Sequence, residues 1–204
     1  MGKHVQSVDS HVHQRIEANP AGWVFTPADF YDLGSRQAVA SALMRLKAAG
    51  RIRQLGRGLY DVPRQSKALG KTLWPTPEAV MRAIQVRSGI RMQPAGAYAA
   101  NLLGLSEQVP AKIINLTDGK AGIIKAGPMR IQLKRTTPRN MAVAGKLSGL
   151  LIQAFRNLGE SNVEAHQIER LRKNLPAEER RKIVEDLAYA PIWMHKHFRE
   201  VAKP

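Results

Sequence analysis

Gln37 and Ser41 stand between Arg36, Arg45 and Lys47, and this mixture of side chains suits recognition of a polyanion rather than bond-making. Amide and hydroxyl groups on one helix face can enter a major groove and hydrogen-bond to base edges. Guanidinium and ammonium groups neutralise phosphates, which positions a protein without specifying sequence. Ser35 belongs to the same stretch, and Arg57 follows between Gly56 and Gly58, where it can reach a phosphate or a minor groove. The candidate DNA-contacting set is therefore Ser35, Arg36, Gln37, Ser41, Arg45, Lys47 and Arg57.

No other residues assemble into a reaction centre. The chain has no phosphate-cradling glycine loop, no Gly-x-Ser-x-Gly elbow and no His-Glu-x-x-His helix. Residues 64–140 hold only Glu78, Glu107 and Asp118, too few for a two-metal acidic site, and the adjacent Glu185 and Asp186 point in different directions on a helix. His4, His11 and His13 are close in sequence, yet His11 and His13 are two apart and fall on different sides of a helix. The absence of Cys excludes disulfides and thiolate zinc sites. No catalytic residue, metal or cofactor is expected, and the protein reads as a non-enzymatic binding protein.

The elements that must hold the candidate set are legible from caps and periodicity. Thr26 with Pro27 starts a short helix that runs to Leu33, and Gly34 turns the chain. Ser35 caps a second helix from Arg36 to about Ala49, with Gly50 as its stop; Val39, Leu43 and Leu46 form its buried face. Gln37, Ser41, Met44 and Ala48 point the other way. Arg51–Leu55 and Leu59–Val62 around Gly56-Arg57-Gly58 read as a β-hairpin. Upstream, Val5, Val8, Val12 and Ile16 mark a first helix, and Trp23-Val24-Phe25 a third strand. This is the order of a winged helix-turn-helix. An ordinary helical hairpin with a solvated polar face is the alternative, and the glycine-tipped hairpin that follows favours DNA binding.

Beyond Pro63 the sequence predicts a linker over 64–76, then a second domain over 77–204. Thr76 and Pro77 start a helix that Gly89 ends; Ile90-Arg91-Met92 is a short strand, and Pro94 opens a small-residue helix to Leu103. A three-strand antiparallel meander follows over 111–116, 122–125 and 129–136, and the chain is helical from Met141, with helices at 143–158, 163–175 and 177–189 and a last one carrying Trp193 and Phe198 as packing anchors. The fold class is α+β: a winged helix at 1–63, then a mixed α/β domain with a small antiparallel sheet and a helical C-terminus.

With 44% hydrophobic residues among 204, the chain can bury a core. No apolar run reaches the ~20 residues needed to span a bilayer, and the N-terminus lacks the apolar core of a signal peptide. Together with the lack of Cys, this predicts a cytoplasmic protein with no membrane partner. The formal net charge of +16 points to nucleic acid. Residues 1–63 carry a net +3, residues 64–140 a net +10 and residues 141–204 a net +3. A helix-turn-helix alone does not explain that distribution. Lys112, Lys125, Arg130, Lys134 and Arg135 form a second candidate surface, for nucleic acid or an acidic protein, or simply a solvated sheet face.

On these residues the chain resembles the AbiEi-type antitoxins of type IV toxin–antitoxin (abortive infection) systems. The likeness covers most of residues 1–140 and rests on GRGLYDVP at 56–63, PAGAYAANLLGLSEQVPAKIINLTDG at 94–119 and GPMRIQLKRTTP at 127–138. The resemblance implies a repressor of its own operon that binds double-stranded DNA at inverted repeats. It also implies an antitoxin that opposes a nucleotidyltransferase-like toxin, directly or functionally. Two winged helices on an inverted repeat is the geometric expectation, which a monomer in solution that pairs on DNA satisfies. The alternatives are an RNA- or protein-binding module acting through the basic face of the second domain, and a stand-alone winged-helix regulator without a toxin.

Overall fold

The computed structural model describes residues 7–203. The protein is α+β, and its chain forms two compact units. The first runs to Gly89 and includes Lys125–Met129; the second comprises Ile90–Ile124 and the chain from Arg130 on.

In the first unit, Ser7 caps α1 (Val8–Glu17) by accepting a hydrogen bond from the Ser10 N–H, and Val12 and Ile16 are buried. Val5, the first position of the predicted apolar face, lies outside the described residues, as does His4. After β1 (Val24–Phe25) the expected helix to Leu33 is a single 3-10 turn, Pro27–Phe30. Its start is fixed by the Asp29 carboxylate, which accepts from the Thr26 N–H at 2.7 Å and the Thr26 hydroxyl at 3.0 Å. Ser35 caps α2 (Arg36–Ala48), and Val39, Ala42, Leu43 and Leu46 are buried on it. They close on Phe25, Phe30 and Ile52. Trp23, Phe30 and Tyr60 surround Phe25 with ring centroids 4.7, 5.4 and 5.8 Å away, separations at which aromatic pairs add to area burial. The strands β2 (Arg53–Gly56) and β3 (Leu59–Asp61) complete a three-stranded antiparallel sheet of order β1-β3-β2.

Residues 64–76, expected as a linker, contain regular structure. They hold a second antiparallel hairpin, β4 (Arg64–Ser66) and β5 (Lys71–Leu73), registered Arg64 to Leu73 and Ser66 to Lys71. It carries no apolar alternation because neither face is buried; a Thr72-to-Gln65 side-chain bond of 3.0 Å and the Ser66 hydroxyl accepting from the Leu69 N–H hold it instead. Thr76 then caps α3 (Pro77–Ser88), which buries Val80, Met81 and Ala83. The first unit therefore extends well past the predicted boundary at Pro63.

In the second unit, β6 (Met92–Ala95) contains Pro94, at which the sequence predicts a helix start; α4 (Gly96–Leu102) begins after it. β6 is an edge strand, where a residue without an N–H is tolerated. β7 (Ile113–Thr117), β8 (Gly122–Ala126) and β9 (Met129–Arg135) join it in the order β6-β7-β9-β8. The β6–β7 pair is antiparallel, but β7 and β9 run parallel, Ile113 beside Ile131 and Thr117 beside Arg135. This corrects the antiparallel meander, which would place β8 in the middle. β8 is largely exposed and suits an edge, whereas Asn115, Thr117, Ile131 and Leu133 are buried and suit the centre.

After α5 (Pro138–Met141), the helix expected from Val143 begins at Leu147 as α6 (Leu147–Leu158). Asp186 meets its start, accepting from Ser148 Oγ at 2.6 Å and Lys146 Nζ at 2.9 Å. That hydrogen bond to Asp186 also holds the Lys146 ammonium above the usual lysine range. α7 (Ala165–Asn174) and α8 (Ala177–Lys182) follow; the helix expected to reach Tyr189 gives way to 3-10 turns over Ile183–Tyr189. α9 (His195–Ala202) buries Phe198 and Val201. Phe155, Leu151, Leu171, Met194 and Phe198 form the core of this unit.

Candidate nucleic-acid interface

Because α2 buries Val39, Leu43 and Leu46, its opposite face carries Gln37, Met44 and Ala48 exposed and Ser41 half-buried. Met44, at 67% exposure, is a large apolar side chain in the middle of an otherwise polar surface. The side chains of Gln37 and Ser41 make no hydrogen bond among the described residues, so their donors and acceptors are available for a ligand.

Four of the other five predicted contacts have intramolecular roles. The Ser35 hydroxyl accepts from the Ala38 N–H at 3.2 Å and works as a helix cap. The Arg36 guanidinium lies 5.3 Å from the centre of the Tyr31 ring. Arg45 donates to Asp9 from Nε at 3.0 Å and from Nη2 at 2.7 Å, joining α2 to α1. Lys47 donates to the Gln54 amide oxygen at 2.7 Å, joining the end of α2 to β2. Arg57 is exposed in the turn between β2 and β3. A shallow open groove of about 730 Å³ runs between the end of α2 and the hairpin, lined by Lys47, Gln54, Gly56 and Arg57 among others. Gln54, which no local pattern singles out, lines this groove, and only its pairing with Lys47 reveals it.

Carboxylates elsewhere in the unit neutralise specific cations. Asp32 pairs with Arg15 at 2.6 Å, and the hydrogen bond from Arg15 holds the Asp32 carboxyl below the usual carboxylate range. Glu17 pairs with Arg51 at 2.7 Å, and Asp61 with Arg53 at 2.6 Å. Counted over the compact units, the first carries 14 basic and 6 acidic residues and the second 18 and 10, a net +8 each. The charge excess that the sequence assigns to residues 64–140 is thus shared, because Arg64 to Arg87 belong to the first unit.

The second candidate surface is only partly assembled. Arg130 and Lys134 share the exposed side of β9 while Ile131 and Leu133 face inward. Lys112 precedes Ile113, the register partner of Ile131, which sets it beside Arg130. Arg135 is exposed at the strand end, and Lys125 counts with the first unit instead.

No group of three or more His, Asp or Glu placed to hold a metal ion occurs among the described residues, and none of their helices is long and apolar enough to cross a membrane. No curated protein matches the chain. Among solved structures it is similar to the RV2827C protein from Mycobacterium tuberculosis, with 14% identity, a TM-score of 0.48, and 98% of this chain and 82% of that one covered. The chain belongs to a family of unknown function, DUF6088, which matches residues 11–183.

Proposed function

We propose that the first unit is a winged helix-turn-helix that binds double-stranded DNA, with α2 as the recognition helix, and that the protein represses its own operon. The observation that carries this reading is the order α1, β1, 3-10 turn, α2, β2, β3 with sheet order β1-β3-β2. In that order α2 is packed by one face and free on the other, and a glycine-tipped hairpin follows it directly. Gln37 and Ser41 suit base edges, and Met44 and Ala48 suit the methyl group of thymine.

The same reading makes the protein an antitoxin that opposes a nucleotidyltransferase-like toxin from the cytoplasm, without catalysis of its own. That part rests on the resemblance of residues 94–138 to the AbiEi-type antitoxins. The exposed Arg130 and Lys134 on β9 favour a second reading, in which the second unit works on RNA or on an acidic protein surface.

Fluorescence anisotropy with the DNA upstream of the gene and a scrambled duplex, at two salt concentrations, tests the first reading. A preference of about 10³-fold or more that survives the higher salt supports it. Equal binding that collapses on both duplexes as salt rises sinks it, since a basic protein attracts any phosphate backbone. The antitoxin role is tested by co-expression with the neighbouring gene, where loss of the rescue of growth counts against it.

A further inference from the structure

The carboxylates of the first unit select which cations stay free. Asp9, Glu17, Asp32 and Asp61 engage Arg45, Arg51, Arg15 and Arg53, and Asp29 is held by Thr26. The tip of the β2–β3 hairpin has no such neutralising partner among the described residues, and three basic residues from separate parts of the chain approach it, Arg87 by its guanidinium and Lys125 by its backbone. Arg57 is exposed in the turn itself. Arg87, from the last turn of α3, brings Nη1 to 3.4 Å from the place a Cβ would take on Gly58. Lys125, in β8, sets its carbonyl oxygen 2.7 Å from the corresponding place on Gly56. The Gly127 N–H then fastens the next turn to the Leu55 carbonyl at 2.8 Å. Arg57, Arg87 and Lys125 are all exposed, and none has an ion-pair partner among the described residues.

Basic residues gathered near one turn raise the local positive potential and attract counter-ions, and guanidinium groups match the oxygens of a phosphodiester. We infer that this tip is a binding site for the phosphate backbone of duplex DNA. It supplies more of the electrostatic affinity than Arg36, Arg45 and Lys47, of which Arg45 is already paired and Lys47 hydrogen-bonded. The inference rests on the reading of the first unit as a DNA-binding winged helix, and it adds Arg87 and Lys125 to the interface.

The test is a salt titration of the full-length protein with a labelled mixed-sequence duplex, followed by anisotropy. Three proteins are compared: wild type, Arg57→Gln/Arg87→Gln/Lys125→Gln, and Arg36→Gln/Arg45→Gln/Lys47→Gln. The tip variant is expected to lower the slope of log affinity against log salt by about 2.7, since three phosphates are no longer neutralised, and the α2 variant by less than half of that. An unchanged slope in the tip variant, or a larger fall in the α2 variant, overturns the inference. The charge-preserving Arg57→Lys/Arg87→Lys must keep the wild-type slope; if it does not, the loss is structural and the inference fails. Tip-dependent binding of single-stranded RNA in preference to the duplex would overturn the assignment to DNA. Failure of the winged-helix reading is separable, because it is read from wild type alone as equal affinity for the upstream and scrambled duplexes.

Discussion

Arg53 and Asp61 form a two-pronged ion pair across the β2–β3 hairpin, Nε to Oδ1 at 3.0 Å and Nη2 to Oδ2 at 2.6 Å, with Asp61 only 1% exposed. Arg53 also donates to the Leu73 carbonyl at 2.9 Å and lies 4.0 Å from the centre of the Trp74 ring. One guanidinium thus joins both strands of the hairpin to β5. Removing one partner of such a buried pair costs on the order of 3–5 kcal/mol, because the other charge is left without compensation. Asp61→Ala is expected to destabilise the protein by about that amount in urea unfolding, and Arg53→Met/Asp61→Leu by clearly less. Equal losses in the single and double variants would mean that packing, not the ion pair, holds the hairpin.

Gln37→Ala and Ser41→Ala are each expected to reduce discrimination between the upstream and scrambled duplexes, by roughly 1–3 kcal/mol for a good base contact. Stability should change little, since neither side chain is bonded within the fold. Competition anisotropy measures the discrimination directly. Wild-type preference in both variants would remove α2 from the recognition role.

Gly127 has φ +59°, and a Cβ there would fall 2.2 Å from Cζ3 of Trp74. Gly127→Ala therefore combines a left-handed backbone, worth roughly 1–2 kcal/mol, with a collision against the ring that stacks on Arg53. The expected result is a lower Tm and an altered tryptophan emission. Adding Trp74→Ala should recover the collision part of the loss; strict additivity would show that the ring and the glycine are independent.

His197 is buried against Phe155 and Trp193, with ring separations of 5.8 and 6.2 Å, and its Nε2 has no hydrogen-bond partner among the described residues. Burial lowers its pKa from the ordinary 6.5, aided by Lys196 and opposed by Glu160. The unfolded chain therefore binds a proton more readily than the folded one. The effect is absent well above 6.5, and stability falls as pH drops through and below that value. His197→Leu is expected to reduce the loss of stability between about pH 8 and about pH 5. An unchanged pH profile of urea midpoints would assign the acid sensitivity to other groups.

How far the sequence discloses this arrangement depends on whether the signal is local. The Ser35 cap and the 3.6-residue period of Val39, Leu43 and Leu46 lie within one helix, and α2 appears with the expected start and an end one residue early. The β4–β5 hairpin is invisible because Arg64-Gln65-Ser66 and Lys71-Thr72-Leu73 bury no face and so leave no alternation. The parallel pairing of β7 with β9 depends on which strand can be buried in the centre, a choice made between segments. The candidate site behaves likewise. Gln37 and Ser41 are free as their positions imply, but Arg45 finds Asp9 thirty-six positions away and Arg87 finds the hairpin tip, pairings with no trace in local spacing.

On the proposed reading, in which α2 meets DNA, the Arg45–Asp9 pair would have a consequence of its own. Asp9 presents to Arg45 the same kind of oxygen that a phosphate would, so on that reading it would compete internally with the DNA backbone. An exposed pair of this kind is worth about 0–1 kcal/mol, and exchange of the carboxylate for a phosphodiester is therefore close to neutral for a single contact. An isolated anion gains little by displacing Asp9. A rigid duplex, already anchored at several other points, gains the contact without a second entropic penalty. On that reading the pair would act as a threshold, quieting Arg45 towards scattered anions and releasing it to a polymer.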